Sequence, residues 1–534
     1  SNVKDGWGDN VYFADTSSAP TNMTAIRSVV AFGEMHGGST SADAEAAYIQ
    51  PLLPDEVHLY VTIPDSLLTP TMRASCHKVS RPVFRLRRPL YGWSRSGNIW
   101  EKHLSETLQA LDNNYEIDMA NKLAGNIAKA KGTGWAPVEN WPQTFWKRND
   151  GGHINVLTVY VDDFVMAGKD HRKEWKAIQE HITISEPCVV GRVLGVHFNF
   201  KDGATPNLKH VTMDMDNYAQ QALDMYHKVP NAPPLRPGVH YPFYEPTLLE
   251  IQAAGEGDST KTVFGHCAAS LLMKLLYAAR MVRLDICYSI NSLSRYVTRW
   301  NTLCDKQLSH LFSYLQHSKV SKLHATVDNL ETETVELHAY PDADLAGSYD
   351  STRATSGGFI HLSGVNTFFQ LDWYSKRQTA TAHSTTEAEL ISASKMLRDG
   401  LIPLMGLWTV MLDREIEGKL FEDNMATIEV IKVGYSSKMR HLAKHHRISV
   451  GIVHELTLDP KIDVNHVTTD KQKGDILTKG LARPKHEPAC RMVGLYPFIL
   501  EVPNESFDQL PDEFRNAVVC SILESSIPSD TQLN

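Results

Sequence analysis

The chain has 534 residues, 42% apolar and 22% charged, with 53 Lys and Arg against 62 Asp and Glu and a formal net charge of −9. That length calls for several domains rather than one core, the composition excludes a low-complexity chain, and no apolar run reaches the ~18 residues a membrane span needs. The acidic balance excludes a surface that is basic throughout, so any contact with nucleic acid must rest on local fields.

Residues 1–40, rich in Ser, Thr and Gly, read as a weakly ordered entry with one strand or helix near Ile26–Phe32. They show neither a basic n-region nor an apolar h-region, so no signal peptide is expected, and the missing initiator Met points to a processed or excerpted chain. The seven cysteines are scattered and never spaced as CxxC, which argues against a disulfide framework or zinc knuckle and for a reducing compartment.

From 43 to 230, strand-like runs (VHLYVTI, INVLTVYV, GRVLGVHFNF) alternate with helical patterns (WEKHLSETLQAL, EWKAIQEHI), giving an α+β domain. Inside it, 81–102 carries Arg81, Arg85, Arg87, Arg88, Arg95 and Lys102 interleaved with Phe84, Tyr91, Trp93 and Trp100. Such a segment suits a surface that tracks a phosphate backbone and stacks bases, and equally a solvated face. A second basic cluster, SKMRHLAKHHR, spans 437–447.

The prolines of 230–246 read as a linker, and 231–330 continues as a helical segment with Leu308, Leu311, Phe312 and Leu315 on one face. Residues 335–485 run strand, strand, strand, helix, strand, helix, strand, helix, which suits a mixed sheet covered by helices. The stretch 486–534 turns polar and is expected to fray.

Two acidic constellations stand out. LTVYVDDFVMAG (157–168) sets Asp162 and Asp163 between two apolar runs, where adjacent carboxylates repel and are costly to bury. A hairpin tip, where a divalent cation neutralises them, answers that cost; an ordinary polar turn does so too. YVDD in this setting resembles the catalytic hairpin of reverse transcriptases, specifically those of the Pol polyproteins of copia-type LTR retrotransposons. Other stretches follow in that family's order: TSADAEAAYIQPLLPDEVHLYVTIP (40–64) resembles its first catalytic motif and picks out Asp43, FRLRRPLYGWSRSGNIWEKHL (84–104) its template-proximal segment, and VVGRVLGVHFNF (189–200) its primer-gripping strands. Asp43 by itself also reads as a helix N-cap before AEAAYI.

The resemblance implies a palm-like domain at 43–230, after a truncated fingers remnant at 1–42 and before a thumb-like segment at 231–330. It implies RNA-directed DNA polymerase chemistry in which Asp43 and Asp162 bridge two Mg²⁺ ions (Mn²⁺ serving as well) and Asp163 supports them. Arg85, Arg87, Arg88, Tyr91, Arg95 and Tyr160 would contact nucleic acid or nucleotide. Two departures bear on activity: Arg95-Ser96-Gly97 stands where the family has Gln-Ser-Pro, and only 42 residues precede Asp43, so most of the basic fingers are expected to be missing.

In the last third, AYPDAD, EAELIS, FEDNMA and GDILTKGL resemble the ribonuclease H domain that these elements carry behind the polymerase, and pick out Asp342, Glu389, Asp423 and Asp475. Each has an ordinary reading alone, as a strand-end carboxylate, capping-box Glu or N-cap; their order and separations of 47, 34 and 52 residues make the set meaningful. Glu387 competes with Glu389 as the ligand. The family implies four carboxylates around two Mg²⁺ ions, hydrolysing the RNA of an RNA–DNA hybrid. His466 reads as a surface histidine, or by the resemblance as one that assists proton transfer or product release, and His441, His445 and His446 as polar or phosphate-facing rather than zinc-binding. Implied partners are RNA template, DNA primer, RNA–DNA hybrid and dNTPs, with no membrane, in a cytoplasmic virus-like particle and the nucleus. A catalytically silent nucleic-acid-binding remnant, or ribonuclease H activity alone, are the competing readings.

Overall fold

The computed structural model describes residues 18–496 except 77–78, 80–81, 112–133, 150, 257–261, 346, 348–351, 380, 440 and 443–447. Arg81, His445, His446, residues 1–17 and the tail from 497 lie outside the described residues. The contacts divide the chain into two compact units, one holding residues up to Val29 with Ser39–Val189, the other Val30–Gly38 with the residues from Val190. Helix α1 (Met23–Met35), at the place where one element was expected near Ile26–Phe32, contributes to both.

The first unit is built on a sheet of β1 (Ser39–Asp43), β2 (Ala136–Pro137), β3 (Thr144–Arg148), β4 (Ile154–Tyr160), β5 (Asp163–Gly168) and β6 (Cys188–Val189), ordered β2-β3-β4-β5-β1-β6 and antiparallel throughout. β4 and β5 are buried along nearly their whole length. Helix α2 (Ser96–Ala110) covers them with Trp100, Leu104 and Leu108, whose i, i+4, i+8 spacing makes one apolar stripe, against Leu157, Val159 and Phe164. Trp175 and Ile178 of α3 (Glu174–Gln179) join that core. The run VHLYVTI keeps only Tyr60–Val61 as strand, paired with Phe84–Arg85, because Pro54 and Pro64 flank it and Tyr60 is exposed.

In the second unit, β7 (Arg192–Val193), β8 (Val196–Asp202), β9 (Leu208–Asp214), β10 (Lys322–Asp328), β11 (Glu336–Asp344), β12 (Thr355–Ser363), β13 (Phe368–Arg377), β14 (Gly418–Glu422), β15 (Ile462–His466) and β16 (Leu495–Tyr496) share one mixed sheet. Its order is β15-β14-β11-β12-β13-β10-β9-β8-β7, with β16 against β10; the β11–β14 and β14–β15 pairs are parallel and the rest antiparallel. The strand pair in VVGRVLGVHFNF thus lies beyond the break between the units, whereas the sequence reading sets no boundary before the prolines of 230–246. Local composition is blind to this: β8 joins the second unit through β9 and β10, a partner more than a hundred residues away.

Helices α4 (Asp216–His227), α5 (Ala268–Met281), α6 (Cys287–Ser294) and α7 (Thr302–His317) precede the β11–β13 meander. The proline-rich stretch 230–246 is irregular but strapped down rather than loose: Arg236 N donates to Ser313 Oγ at 3.0 Å, and His310 Nε2 lies 2.9 Å from the Tyr241 carbonyl. The helical run after the meander divides into α8 (Thr385–Met396) and α9 (Ile402–Leu412), joined by a π turn at Leu397–Leu401, since Pro403 cannot donate to the helical ladder. Helices α10 (Met425–Val433), α11 (Asp475–Thr478) and α12 (Arg483–Met492) complete the set used below. No helix among the described residues is long and apolar enough to cross a membrane.

Candidate active site

At the end of β11 the sheet opens. β11 and β14 pair in parallel only from Leu337–Gly418 to Ala339–Leu420, and two residues later Pro341 lacks the N–H that would extend the ladder. Gln472 bridges the splayed ends, its Nε2 donating to the Pro341 carbonyl at 2.9 Å and the Phe421 carbonyl at 3.4 Å. Asp342 from β11 and Glu422 and Asp423 from the end of β14 project around this opening, and Glu389 reaches it from α8.

Asp342, Glu389 and Asp423 bring one carboxylate oxygen each within 4.8 Å of one another. Asp342 and Glu422 are fully buried and Glu389 is 3% exposed. Burial, reinforced by the neighbouring carboxylates, drives Glu389 and Glu422 well above the ordinary carboxylate range; burial also pushes Asp342 up to about 7, with Lys479 opposing and Asp475 adding to the rise. Glu389 Oε2 and Glu422 Oε2 are buried without a hydrogen-bond partner. An oxygen-only donor set with orphaned acceptors and mutual repulsion fits a hard divalent cation.

Asp475, at the start of α11, lies outside that trio; its Oδ1 accepts from Lys479 Nζ at 2.6 Å. Lys479 also stands 3.5 Å from Asp342 Oδ1, while Thr478 Oγ1 donates to Asp342 Oδ2. Burial disfavours the Lys479 ammonium, but Asp342 and Asp475 outweigh it and keep it charged. α11 comes this close because of two glycines: a Cβ on Gly474 would lie 2.7 Å from Asp342 Cβ, and one on Gly357 of β12 would lie 2.6 Å from Thr478 Cγ2.

The structure separates the two competing glutamates. Glu389 faces the opening, whereas Glu387, two residues earlier and so on another side of the helix, accepts from His383 N at 3.0 Å and lies 3.0 Å from His441 Nε2. Glu422 escaped the sequence reading, although the alternation Gly418, Leu420, Glu422 marks it as the inward position of its strand. Lys479 and Gln472 also went unread, since only the folded chain shows what they touch. His466 is exposed, in register beside Glu422.

In the first unit, Asp43 and Asp163 are register partners on β1 and β5, and the Asp162 carbonyl accepts from Ala44 N at 2.7 Å. Asp43 N in turn donates to Ser185 Oγ at 2.9 Å. The two-residue tip of the hairpin holds Val161 at φ 59°, a left-handed conformation that a β-branched side chain resists. Trp100 Nε1 donates to the Val161 carbonyl at 2.7 Å and clamps it. Asp43 and Asp162 are exposed, and Asp43, Asp162 and Asp163 do not form a trio as tight as the one above.

The cationic segment is only partly a surface. Arg85, Arg87, Arg88 and Tyr91 are exposed, Arg95 and Tyr160 half-buried. Arg88 spends its guanidinium on the Ile49 and Gln50 carbonyls. Trp93 and Trp100, counted among the stacking aromatics on sequence, are buried, Trp100 as part of the core stripe of α2. In the second unit, Arg192, His197, Tyr218 and Tyr277 line a cleft of about 370 Å³ beside β7 and β8.

No family model matches the chain. Three curated proteins are similar over much of it: the retrovirus-related Pol polyprotein from transposon RE2 of Arabidopsis thaliana (23% identity, 92% of this chain, 30% of that protein), that from transposon TNT 1-94 of Nicotiana tabacum (22%, 66% and 25%) and that from transposon RE1 of Arabidopsis thaliana (23%, 90% and 29%). The chain spans at most about a third of the length of these relatives. Among solved structures, LC11-RNase H1 isolated from compost aligns with 27% of this chain and 92% of its own at 16% identity and a TM-score of 0.21. Along most of its length, then, the chain is similar in sequence to the Pol polyproteins of retrotransposons, the resemblance that its motifs carry.

Proposed function

We propose that the chain is the reverse transcriptase and ribonuclease H portion of a copia-type Pol polyprotein, and that hydrolysis of the RNA strand of an RNA–DNA hybrid is the activity its geometry supports best. The observation that carries this reading is the buried trio Asp342, Glu389 and Asp423, with Glu422 behind it, at the splayed end of a five-strand arrangement of three antiparallel and two parallel strands. Asp342, Glu389 and Asp423 would hold divalent metal, Mg²⁺ by the hardness of the donors, with Asp475 at the rim. The metal's chemistry there is to activate water and stabilise the departing 3′-oxygen. The chain's own part is to fix three carboxylates on three elements so that they stay close despite their repulsion. Lys479 lies where it neutralises them before metal binds and gives way afterwards.

The polymerase reading rests on the hairpin: a strained tip clamped by Trp100, with Asp43 and Asp163 paired across β1 and β5. Exposed Arg85, Arg87 and Tyr91, and the cleft beside β7 and β8, would meet the template and primer. The test is Mg²⁺-dependent cleavage of a labelled RNA–DNA hybrid and extension of a primed RNA template by the whole chain and its Asp423→Asn and Asp162→Asn variants. Cleavage lost only in the first and extension lost only in the second supports both assignments. Cleavage that survives Asp423→Asn overturns the site assignment, cleavage absent from the parent chain overturns the ribonuclease reading, and absence of both activities leaves a silent nucleic-acid-binding remnant.

A further inference from the structure

A second potential ligand set lies on the other side of α8. His383, Glu387 and His441 each offer one ligand atom, all within 4.8 Å of one another. Glu387 is 1% exposed, and the start of the helix holds it in place: Ser384 Oγ accepts from Glu387 N at 3.2 Å, and Glu387 Oε2 accepts from His383 N at 3.0 Å. That leaves Oε1 directed at His441 Nε2, 3.0 Å away. The rings of His383 and His441 meet edge to face with centroids 4.9 Å apart and interplanar angle 82°, so the two imidazoles flank the carboxylate instead of stacking on each other. His441 is itself anchored between buried Met439 and Leu442.

The geometry points to a transition-metal site, of the Zn²⁺ class, formed by His383, Glu387 and His441 and separate from the oxygen-only centre around Glu389. Two imidazoles and one carboxylate form a donor set that tetrahedral Zn²⁺ accepts, with the fourth position open to water, whereas Mg²⁺ prefers oxygens alone. Ligands of a tetrahedral ion with bonds of about 2.0–2.1 Å lie roughly 3.3 Å apart, close to the present Glu387–His441 separation. Binding therefore requires the Nε2 proton to move to Nδ1 or to leave, and His383 to turn in. The positive end of α8 opposes a cation only weakly compared with three direct ligands, one of them anionic.

Bound there, the ion would tie the first turn of α8, the helix that carries Glu389, to the segment around His441. A Zn²⁺ ion would thus stiffen the support of the acidic centre without entering it. The inference does not depend on the proposed activity, because it is read by metal binding.

The experiment uses the whole chain, stripped with chelator and kept in excess Mg²⁺ to occupy the oxygen site. Zn²⁺ is titrated calorimetrically and Co²⁺ by its visible absorption. We expect one equivalent of Zn²⁺, a four-coordinate Co²⁺ spectrum, and a loss of affinity of at least about tenfold in His383→Ala and in His441→Ala. His383 is exposed, so its variant keeps the fold even if the His441 variant does not. Asp423→Asn should leave the Zn²⁺ equivalent unchanged. Absence of that equivalent, its persistence in His383→Ala, or its loss in Asp423→Asn would each overturn the site.

Discussion

The two acidic constellations solve the same electrostatic problem in opposite ways. Asp162 lies exposed at the tip of a hairpin and Asp43 exposed at the end of the neighbouring strand β1, where water screens their charge, and the strain is stored in the backbone at Val161. Asp342, Glu389 and Glu422 lie in a closed opening of a sheet, where the strain is electrostatic and Lys479 relieves part of it. If metal binds as proposed, the buried centre is organised before it arrives and needs a proton or an ammonium to exist without it. An exposed one needs neither, and depends on its ligands to complete its geometry.

The sharpest test of this contrast is Glu389→Gln beside Asp162→Asn. Each should reduce its own activity by on the order of 10²–10³-fold, hybrid cleavage in one case and primer extension in the other. Mg²⁺ should raise the melting temperature of the parent chain and not of Glu389→Gln, because the ion stabilises only the state it binds. Equal Mg²⁺ stabilisation of the two would break the comparison.

A pH series comes next. The Asp342 carboxyl rises from the ordinary 3.8 to about 7 on folding, so between those values the folded chain holds a proton that the unfolded chain has released. Stability from this group is therefore full below about pH 4 and is lost as pH rises through about 7, a change on the order of a few kcal/mol. Melting curves in chelator should show this decline, Asp342→Asn should make it shallower while the buried Glu389 and Glu422 keep part of it, and Mg²⁺ should offset it. A parent chain and Asp342→Asn with the same pH dependence in chelator would refute the account.

Lys479→Met removes the internal cation. With its side chain about one-third exposed, the expected cost without metal is only about 2 kcal/mol, and Mg²⁺ should recover most of it. Chemical denaturation with and without Mg²⁺ reads the difference; a cost that Mg²⁺ leaves intact would mean that Lys479 acts by packing alone. The smallest effect belongs to the hairpin: Val161→Gly relieves the φ of 59° and should stabilise the first unit by up to about 1 kcal/mol. A loss of stability instead would show that packing of the Val161 side chain outweighs the backbone strain.

Much of the candidate site was legible in the residues. Asp342, Glu389 and Asp423 were marked by their place at the end of a strand, on the apolar-flanked first turns of a helix, and just past another strand, and these local cues survive folding. The hairpin around Asp162 was legible for the same reason, since two apolar runs about a two-residue tip can pair with each other without distant help, but its tip is Val161–Asp162 and not the two aspartates, Asp163 being already on β5. Glu422 was within reach through strand alternation. Lys479, Gln472 and the pairing of His441 with Glu387 were not, because nothing local distinguishes a side chain that will cross to another element from one that will meet water.

The sequence by itself determined the α+β character, the order of helices and strands around both sites, and the charge types gathered at them, because periodicity, caps and turns act over a few residues. The tertiary structure alone decided that β8 and β9 extend the second unit's sheet, that Trp93 and Trp100 are core rather than stacking surface, and that Glu389 and not Glu387 faces Asp342. Each of those outcomes is set by which distant element supplies the partner, and pairing across a hundred residues leaves no trace in the local pattern of either one.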